Sequence, residues 1–165
     1  MFTPAEKRGL TLCCPDDILK PCKHKLFSEM RSIMKNTTPM TFDKIHHIAI
    51  IGSNYEKSRH FYVDLLGFKV IRENYREERK DYKIDLQLGD MELELFIIPG
   101  CPERPSYPEA NGLRHLAFRV ESVEKTAAWL NQMGIMTEPI RIDNYTGKKM
   151  TFFFDPDHLP LEIHE

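Results

Sequence analysis

Two short stretches decide the fold of this sequence: KIHHIAI at residues 44–50 and GLRHLAF at residues 112–118. Each stretch has a histidine, His47 or His115, where a buried β-strand would otherwise carry an apolar side chain. Because side chains alternate between the two faces of a strand, the apolar residue after each histidine points the other way. The sequence therefore predicts two equivalent strands, each with one imidazole on the face away from its apolar packing.

The pattern around these two strands is the same in both halves of the chain. Each strand is followed by a predicted helix, over residues 55–66 and 123–133, and the helices are stopped by Gly67 and Gly134. Three further strands are predicted in each half, over residues 68–75, 83–88 and 91–98 and then over residues 136–142, 148–154 and 159–165. The order strand, helix, strand, strand, strand thus occurs twice, which indicates an α+β fold of two tandem βαβββ modules.

Equal spacing within the two halves supports a duplicated module. From His47 to Glu94 is 47 residues (94 − 47), and from His115 to Glu162 is also 47 residues (162 − 115). Alternation places Glu94 and Glu162 on the same faces as the histidines, opposite the apolar side chains. Each module is therefore predicted to present one imidazole and one carboxylate together.

Other positions test the same repeat. Ile84 and Phe152 both lie 37 residues after their histidine (84 − 47 and 152 − 115). The offset from histidine to stopping glycine is one longer in the first half than in the second (67 − 47 against 134 − 115), a difference that we assign to the loops. We expect Ser53 to cap the first helix through its hydroxyl.

The spacing also divides the chain into segments. Residues 1–39 lack a sustained period and are expected to form a poorly structured N-terminal extension, outside a domain of residues 40–165. Within that domain we expect module one at 43–98, a proline-rich linker at 99–111 and module two at 112–165.

Composition excludes several classes of function. The 23 basic and 25 acidic side chains nearly balance, so the basic surface that nucleic-acid binding requires is not expected. No apolar run reaches the length of about 18 that crossing a membrane requires, and the segment 1–30 contains no signal-peptide core. We therefore expect a cytoplasmic protein with no membrane partner. The four cysteines do not show the paired spacing of structural zinc sites.

Two imidazoles and two carboxylates suit a divalent ion if the modules face each other. Nitrogen and oxygen ligands without thiolate favour Zn, Ni, Co, Mn or Fe. Taken singly, each residue is better explained as a solvated side chain, and only the recurrence of both types at one spacing favours a metal. His46 is predicted to lie on the same strand face as the apolar residue Ile48, and it is therefore expected to be peripheral to the metal site.

The residues carry a resemblance to a known family. The matching stretches are KIHHIAIIGSNYEKSRHFYVDLLGF at 44–68, MELELF at 91–96, GLRHLAFRV at 112–120 and FFFDPDHLPLEIHE at 152–165. They resemble the vicinal oxygen chelate superfamily, which includes glyoxalase I, bleomycin resistance proteins and dioxygenases. The stretches HHIAI at 46–50, PERPSYPEANGLRHLAF at 102–118 and RIDNYTGKK through LPLE at 141–162 resemble a YaeR-type subgroup within it. The resemblance implies an open, incomplete barrel of two βαβββ modules and a homodimer that binds a small molecule.

The same resemblance implies an activity. The family's metal ligands fall on His47, Glu94, His115 and Glu162 of this sequence. Glyoxalase-I-like members are lyases that abstract a proton beside a carbonyl, as in lactoylglutathione lyase, and Glu162 matches the base while Glu94 completes the site. The alternatives are a small-molecule binding or resistance protein without turnover, or a dioxygenase or thiol transferase, which typically lack the first-module carboxylate.

The substrate is left open because this sequence departs from glyoxalase I where glutathione is held. ELFIIPG follows Glu94, and no arginine lies four residues beyond His47. We take Arg119, Arg141, Tyr145 and Lys148 as candidate substrate-binding residues, the last three in the polar loop RIDNYTGKK. An ordinary solvated hairpin explains that loop equally well.

Overall fold

Two four-stranded sheets, one for each half of the chain, form the protein in the computed structural model, which describes residues 41–105 and 107–165. Ile45–Glu165 makes one compact unit. The predicted extension at 1–39 lies outside the described residues. No described helix combines the length and the apolar character that crossing a membrane requires.

The elements follow the same order in both modules. Module one contains β1 (His47–Gly52), α1 (Tyr55–Arg59) with a π-helical continuation (His60–Leu65), β2 (Lys69–Arg76), β3 (Asp81–Leu88) and β4 (Met91–Ile97). Module two contains β5 (Leu116–Arg119), α2 (Val123–Gln132), β6 (Arg141–Ile142), β7 (Lys149–Phe154) and β8 (Pro160–His164).

Strand order is also the same in the two sheets, β1-β4-β3-β2 and β5-β8-β7-β6. The first strand of each module runs parallel to the last, and the remaining neighbours are antiparallel. Parallel neighbours need a crossover connection, which the helix and the intervening strands supply. The predicted α+β fold of two βαβββ modules with open sheets is confirmed.

Two local predictions were wrong. The first helix is capped by Asn54, whose side chain accepts a hydrogen bond from the Lys57 N–H, whereas the Ser53 N–H is bound by Asp157. Strand β6 has only two residues and does not fill the predicted range 136–142, because Pro139 has no N–H to donate to a ladder.

The pairing of β3 with β4 differs by one residue from the pairing of β7 with β8. Glu94 lies opposite Asp85, whereas Glu162 lies opposite Phe152, so the equivalent of Phe152 is Asp85 and not Ile84. Loop length explains the shift. The β3–β4 connection is the two-residue turn at 89–90, and the β7–β8 connection spans 155–159.

The extra residue before Gly67 lies in the first helix and not in a loop. Asn54 and Ser122 cap the two helices at equivalent positions. Gly67 follows its cap by 13 residues (67 − 54), whereas Gly134 follows its cap by 12 (134 − 122), so the first helix contains the additional residue. The first helix widens into a π-helical turn at His60–Leu65, closed by a bond from the Leu66 N–H to the Phe61 carbonyl. Such a turn accommodates one additional residue.

Aromatic side chains of the first helix pack against the second module. Phe61 and Tyr62 are buried, and the Phe61 ring centroid lies 6.3 Å from that of Phe153 on β7. The Tyr62 hydroxyl donates a 2.8 Å hydrogen bond to the Asp155 carboxylate at the end of β7. This packing and this bond join the two modules within one core.

Candidate metal centre

The histidines and glutamates occupy the predicted faces. On the core side Ile50 pairs with Leu95, and both are buried. Strand alternation then turns His47 and Glu94 to the opposite face of the first sheet. In the second sheet Leu161 and Ile163 of β8 are buried on the core side, which leaves Glu162 on the other face.

The structure brings the four side chains together as two pairs. His47 Nε2 lies 3.7 Å from Glu94 Oε2, and His115 Nε2 lies 3.0 Å from Glu162 Oε2. The two pairs do not meet in one chain: among the described residues, no three of these four side chains have donor atoms within 4.8 Å of one another.

Glu94 lies in a network of charged side chains that the sequence interpretation missed. Lys83 Nζ is 2.7 Å from Glu94 Oε1 and 2.5 Å from Asp85 Oδ1. Arg72 Nε donates to the other oxygen of Asp85 at 2.7 Å, and Arg72 also lies 3.5 Å from Glu92. The hairpin turn at 89–90 was the signal that could have placed Asp85 opposite Glu94, because a two-residue turn fixes the register.

These contacts keep the network charged. Burial raises the pKa of the Asp85 carboxyl, but the hydrogen bonds from Lys83 and Arg72 outweigh burial and lower the pKa overall. Burial likewise depresses the pKa of Lys83, and its bonds to Asp85 and Glu94 raise the pKa above the ordinary value. Lys83 is therefore an ammonium and Asp85 a carboxylate at neutral pH.

The surroundings of Glu162 are apolar. Phe152 lies opposite Glu162 in the sheet, and its ring packs edge-on against His115 with 5.2 Å between centroids. Glu162 is only 7% exposed. Within the part of the chain that the structure describes, its one ionic partner is His115, whose buried Nδ1 has no hydrogen-bond partner.

His46, predicted to be peripheral, is exposed and contacts His47. Its Nδ1 lies 3.0 Å from the Nδ1 of His47, and the two rings meet edge to face. This contact leaves His47 Nε2 directed toward Glu94. If an ion occupies Nε2, the His47 proton is on Nδ1, where it can be donated to His46.

The spacing within each pair is close to that of two ligands of one ion. Atoms bound at about 2.0–2.2 Å and separated by about 90–110° lie about 2.8–3.6 Å apart. The 3.0 Å separation at His115 falls in this range, whereas the 3.7 Å separation at His47 lies just above its upper limit. The acidic set Asp85, Glu92 and Glu94, also close enough to bind a cation, already contacts Lys83 and Arg72.

A cavity of about 190 Å³ opens beside His115. Arg141 lines it, with its guanidinium carbon 5.5 Å from the Phe152 ring centroid. Two arginines that the sequence interpretation assigned no role, Arg104 of the linker and Arg114, line the same cavity. All of the cavity's lining residues come from the linker and module two.

The other predicted substrate-binding residues lie elsewhere. Tyr145 is 99% exposed in the turn between β6 and β7, and Lys148 is exposed beside it. Arg119 lines a different, apolar groove together with Trp129. Of the four candidates, only Arg141 lines the cavity beside His115.

Comparison with known proteins identifies the relatives of this chain. The sequence profile of the Glyoxalase/Bleomycin resistance protein/Dioxygenase superfamily matches residues 44–163. The uncharacterized protein YwkD of Bacillus subtilis is 61% identical over 127 residues, covering 76% of this chain and 99% of YwkD. The uncharacterized protein YaeR of Escherichia coli is 52% identical, covering 74% of this chain and 95% of YaeR. The crystal structure of a glyoxalase family protein from Enterococcus faecalis, 63% identical, superposes with a TM-score of 0.73 and covers 76% of this chain and all of that one.

More distant relatives have named activities. A lactoylglutathione lyase of Schizosaccharomyces pombe is 24% identical over 151 residues, and the match covers 79% of this chain and 50% of that enzyme. The metallothiol transferase FosB of Staphylococcus saprophyticus is 31% identical over 125 residues, covering 73% of this chain and 75% of FosB.

Proposed function

Because the chain belongs to the Glyoxalase/Bleomycin resistance protein/Dioxygenase superfamily, we propose that it is a divalent-metal-dependent lyase or isomerase related to lactoylglutathione lyase. It removes a proton from a carbon beside a carbonyl group. The substrate is a small hydroxycarbonyl compound or the thiol adduct of a 2-oxoaldehyde.

One observation carries the proposal: the same His–Glu pair occurs on equivalent strands of both sheets. Each pair has one imidazole nitrogen and one carboxylate oxygen, at 3.0 Å in the second module and at 3.7 Å, just above the range for a shared ion, in the first. A structural role explains one such pair, but it does not explain the recurrence of the pair in the second module, with both donors on the face turned from the core.

We propose that the complete centre forms in a homodimer. Within one described chain the pair at His47 and the pair at His115 are separate. A two-fold axis that brings the first sheet of one protomer to the second sheet of its partner would create two equal sites, each with two imidazoles and two carboxylates.

The four ligands can hold Zn, Ni, Co, Mn or Fe, and the bound ion would polarise the substrate carbonyl as a Lewis acid. Glu162 is the base that accepts the carbon-bound proton on its carboxylate and returns it to the neighbouring carbon. Its low exposure and the Phe152 ring beside His115 keep water from this carboxylate. Glu94 balances the charge of the ion from the first module.

The cavity beside His115 suits a substrate with an anionic group. Arg104, Arg114 and Arg141 contribute three guanidinium groups to its lining, and Glu109 and Glu138 contribute two carboxylates. Arg114 and Arg141 are paired with these carboxylates at 3.0 Å, whereas Arg104 donates to the carbonyls of Leu113 and Arg114. A carboxylate or phosphate on the substrate would bind best near Arg104.

The test combines metal analysis with turnover. We expect purified protein to bind one divalent ion per chain and His115→Ala to lose it. With hemithioacetals of methylglyoxal and several thiols, Glu162→Gln should reduce kcat by about 10² to 10⁴. The matched control is Glu78→Gln in the exposed turn between β2 and β3, with kcat expected within twofold of the wild type. Stoichiometric metal in His115→Ala would refute this function, and a metal-loaded wild type that is inert toward the hemithioacetals of every thiol would refute glyoxalase activity proper.

A thiol transferase is the second candidate, favoured by two observations. The metallothiol transferase FosB is 31% identical to this chain. Lys83 already binds Glu94, so three of the four predicted ligands, His47, His115 and Glu162, remain free of a lysine or arginine partner among the described residues. Thiol consumption together with a covalent adduct of matching mass would support this candidate. Stoichiometric ligand binding that Glu162→Gln leaves unchanged would instead indicate a binding protein without turnover.

A further inference from the structure

We infer that Lys83 is a positioning residue, which holds the Glu94 carboxylate in the orientation required to bind the ion. This inference rests on the proposed function, because it takes Glu94 as a ligand. Lys83 Nζ donates to Glu94 Oε1 at 2.7 Å, while Glu94 Oε2 faces His47 Nε2 at 3.7 Å. One oxygen is thus occupied by the protein's own cation, and the other is directed to the imidazole.

Lys83 is itself held at several points. Its ammonium donates to the Asp85 carboxylate at 2.5 Å and lies 5.5 Å from the centroid of the Phe96 ring. Asp85 is 2% exposed and is fixed from its other side by Arg72. A free surface lysine would lose much rotamer entropy on binding a carboxylate. Because these contacts already restrict the Lys83 side chain, it is a more rigid partner for Glu94 than a free surface lysine would be.

The charges of this network still permit a cation to bind. Lys83 and Arg72 contribute two positive charges, and Asp85, Glu92 and Glu94 contribute three negative charges, so the net charge is −1 (2 − 3). The two cations therefore offset the charge of Asp85 and Glu92 and leave one negative charge, equal to that of Glu94. Lys83 orients this ligand without reversing the local charge.

The second module has no equivalent of Lys83 beside its glutamate. Phe152 occupies the place opposite Glu162 that Asp85 occupies opposite Glu94, and no lysine or arginine among the described residues lies within ion-pair distance of Glu162. The two carboxylates therefore differ in freedom. Glu94 is suited to be a permanent ligand, and Glu162 is free to leave the ion and carry a proton.

The test measures metal affinity, by competition with a chelator, for Co²⁺ binding to the metal-free protein. We expect Lys83→Met to weaken Co²⁺ binding by about 10- to 100-fold, as loss of a partner that orients a metal ligand typically does. Lys83→Arg retains a donor and should stay within about fivefold of the wild type. The matched control is Arg72→Met, which removes the same charge from the same network but leaves the bond to Glu94 intact, and it should change the affinity by less than threefold.

A double-mutant cycle separates positioning from a general structural effect. In a Glu94→Gln background the carboxylate is already lost, so adding Lys83→Met should change Co²⁺ affinity by less than twofold. Thermal unfolding of each variant without metal checks that the fold is retained.

Three outcomes would overturn the inference: equal or tighter Co²⁺ binding by Lys83→Met, an equal loss in Arg72→Met, or a tenfold loss on adding Lys83→Met to Glu94→Gln. Failure of the proposed function looks different. In that case the wild type itself binds no stoichiometric metal, or His115→Ala binds as much as the wild type.

Discussion

Replacing Tyr62 with phenylalanine tests the bond that joins the two modules. The Tyr62 hydroxyl donates to Asp155 Oδ2 at 2.8 Å, and the two residues are 0% and 4% exposed. The other oxygen, Oδ1, keeps its bonds from the Asp157 and Leu159 N–H groups at 2.9 and 2.8 Å. The substitution therefore leaves one buried carboxylate oxygen without its donor.

Hydrogen bonds to charged groups contribute about 1.5–3 kcal/mol, so Tyr62→Phe should lower the free energy of unfolding at pH 7.5 by about that amount. With a urea m-value of about 2 kcal/mol/M, the midpoint should move by about 1 M to lower urea. Urea denaturation followed by tryptophan fluorescence measures this shift. Tyr75→Phe is the matched control, since Tyr75 is 45% exposed and its variant should stay within about 0.5 kcal/mol of the wild type.

The effect of Tyr62→Phe should depend on pH in a defined direction. Burial raises the pKa of Asp155 above its ordinary value of 3.8, and the bond from Tyr62 partly opposes that rise. A group with a raised pKa in the folded state contributes fully to the free energy of unfolding below its ordinary pKa. This contribution is lost as the pH rises through the folded-state pKa of Asp155. Removing the hydroxyl raises this pKa further, so the deficit of the variant should be larger at pH 7.5 than at pH 3.5. A deficit at pH 7.5 within the range of about 0.5 kcal/mol that surface substitutions cause, or an equal deficit at both pH values, would refute the reasoning.

Three further substitutions have expected outcomes. Gly52→Ala would place a Cβ 2.7 Å from Ser58 Oγ, so it should lower the free energy of unfolding by about 1–3 kcal/mol. Urea denaturation measures this loss, and an unchanged midpoint would contradict the close approach of Gly52 to Ser58. Leu130→Ala truncates a side chain that is 1% exposed, so it should lower the free energy of unfolding in urea by about 2–5 kcal/mol. A decrease below about 1 kcal/mol would show that this part of the core is loosely packed. The hydrogen bonds of Arg76 lower the pKa of Asp81, so their contribution is present above the ordinary carboxyl pKa and is lost as the pH falls through the lowered value. Arg76→Met should therefore flatten the acid side of the stability profile from pH 5 to pH 2, and a profile parallel to that of the wild type would count against this ion pair.

The parts of the fold that follow from alternation were predictable. Apolar residues at every second position placed Ile50 and Leu95 in the core, and this assigned the histidines and glutamates to the other face. The repeat also predicts the cap of the first helix. Ser122 caps the second helix, and the offset between the two histidines (115 − 47) leads back from Ser122 to Asn54 and not to Ser53.

The partners of the site residues were harder to predict, because they depend on the register between strands. Equal spacing from the histidines predicted that Ile84 is the equivalent of Phe152. The shorter turn in module one instead places Asp85 opposite Glu94, as Phe152 lies opposite Glu162. Lys83 was missed for the same reason, since its contact with Glu94 crosses from β3 to β4. In the proposed homodimer, the meeting of the two His–Glu pairs would depend on how protomers associate, which the alternation and spacing within one chain do not specify.

The wide turn at His60–Leu65 makes the first helix one residue longer, from cap to stopping glycine, than α2. If one ancestral module was copied and joined to itself, the two copies began at equal length, and the present difference between cap and stopping glycine dates from a later insertion or deletion of one codon. The regular helix α2 has the shorter form. Phe61 and Tyr62, neighbours in the chain, are both buried at the widened turn, so the event would have altered which rings reach the opposite half of the molecule. A change of one codon in a duplicated gene would then have helped two identical halves to become complementary ones.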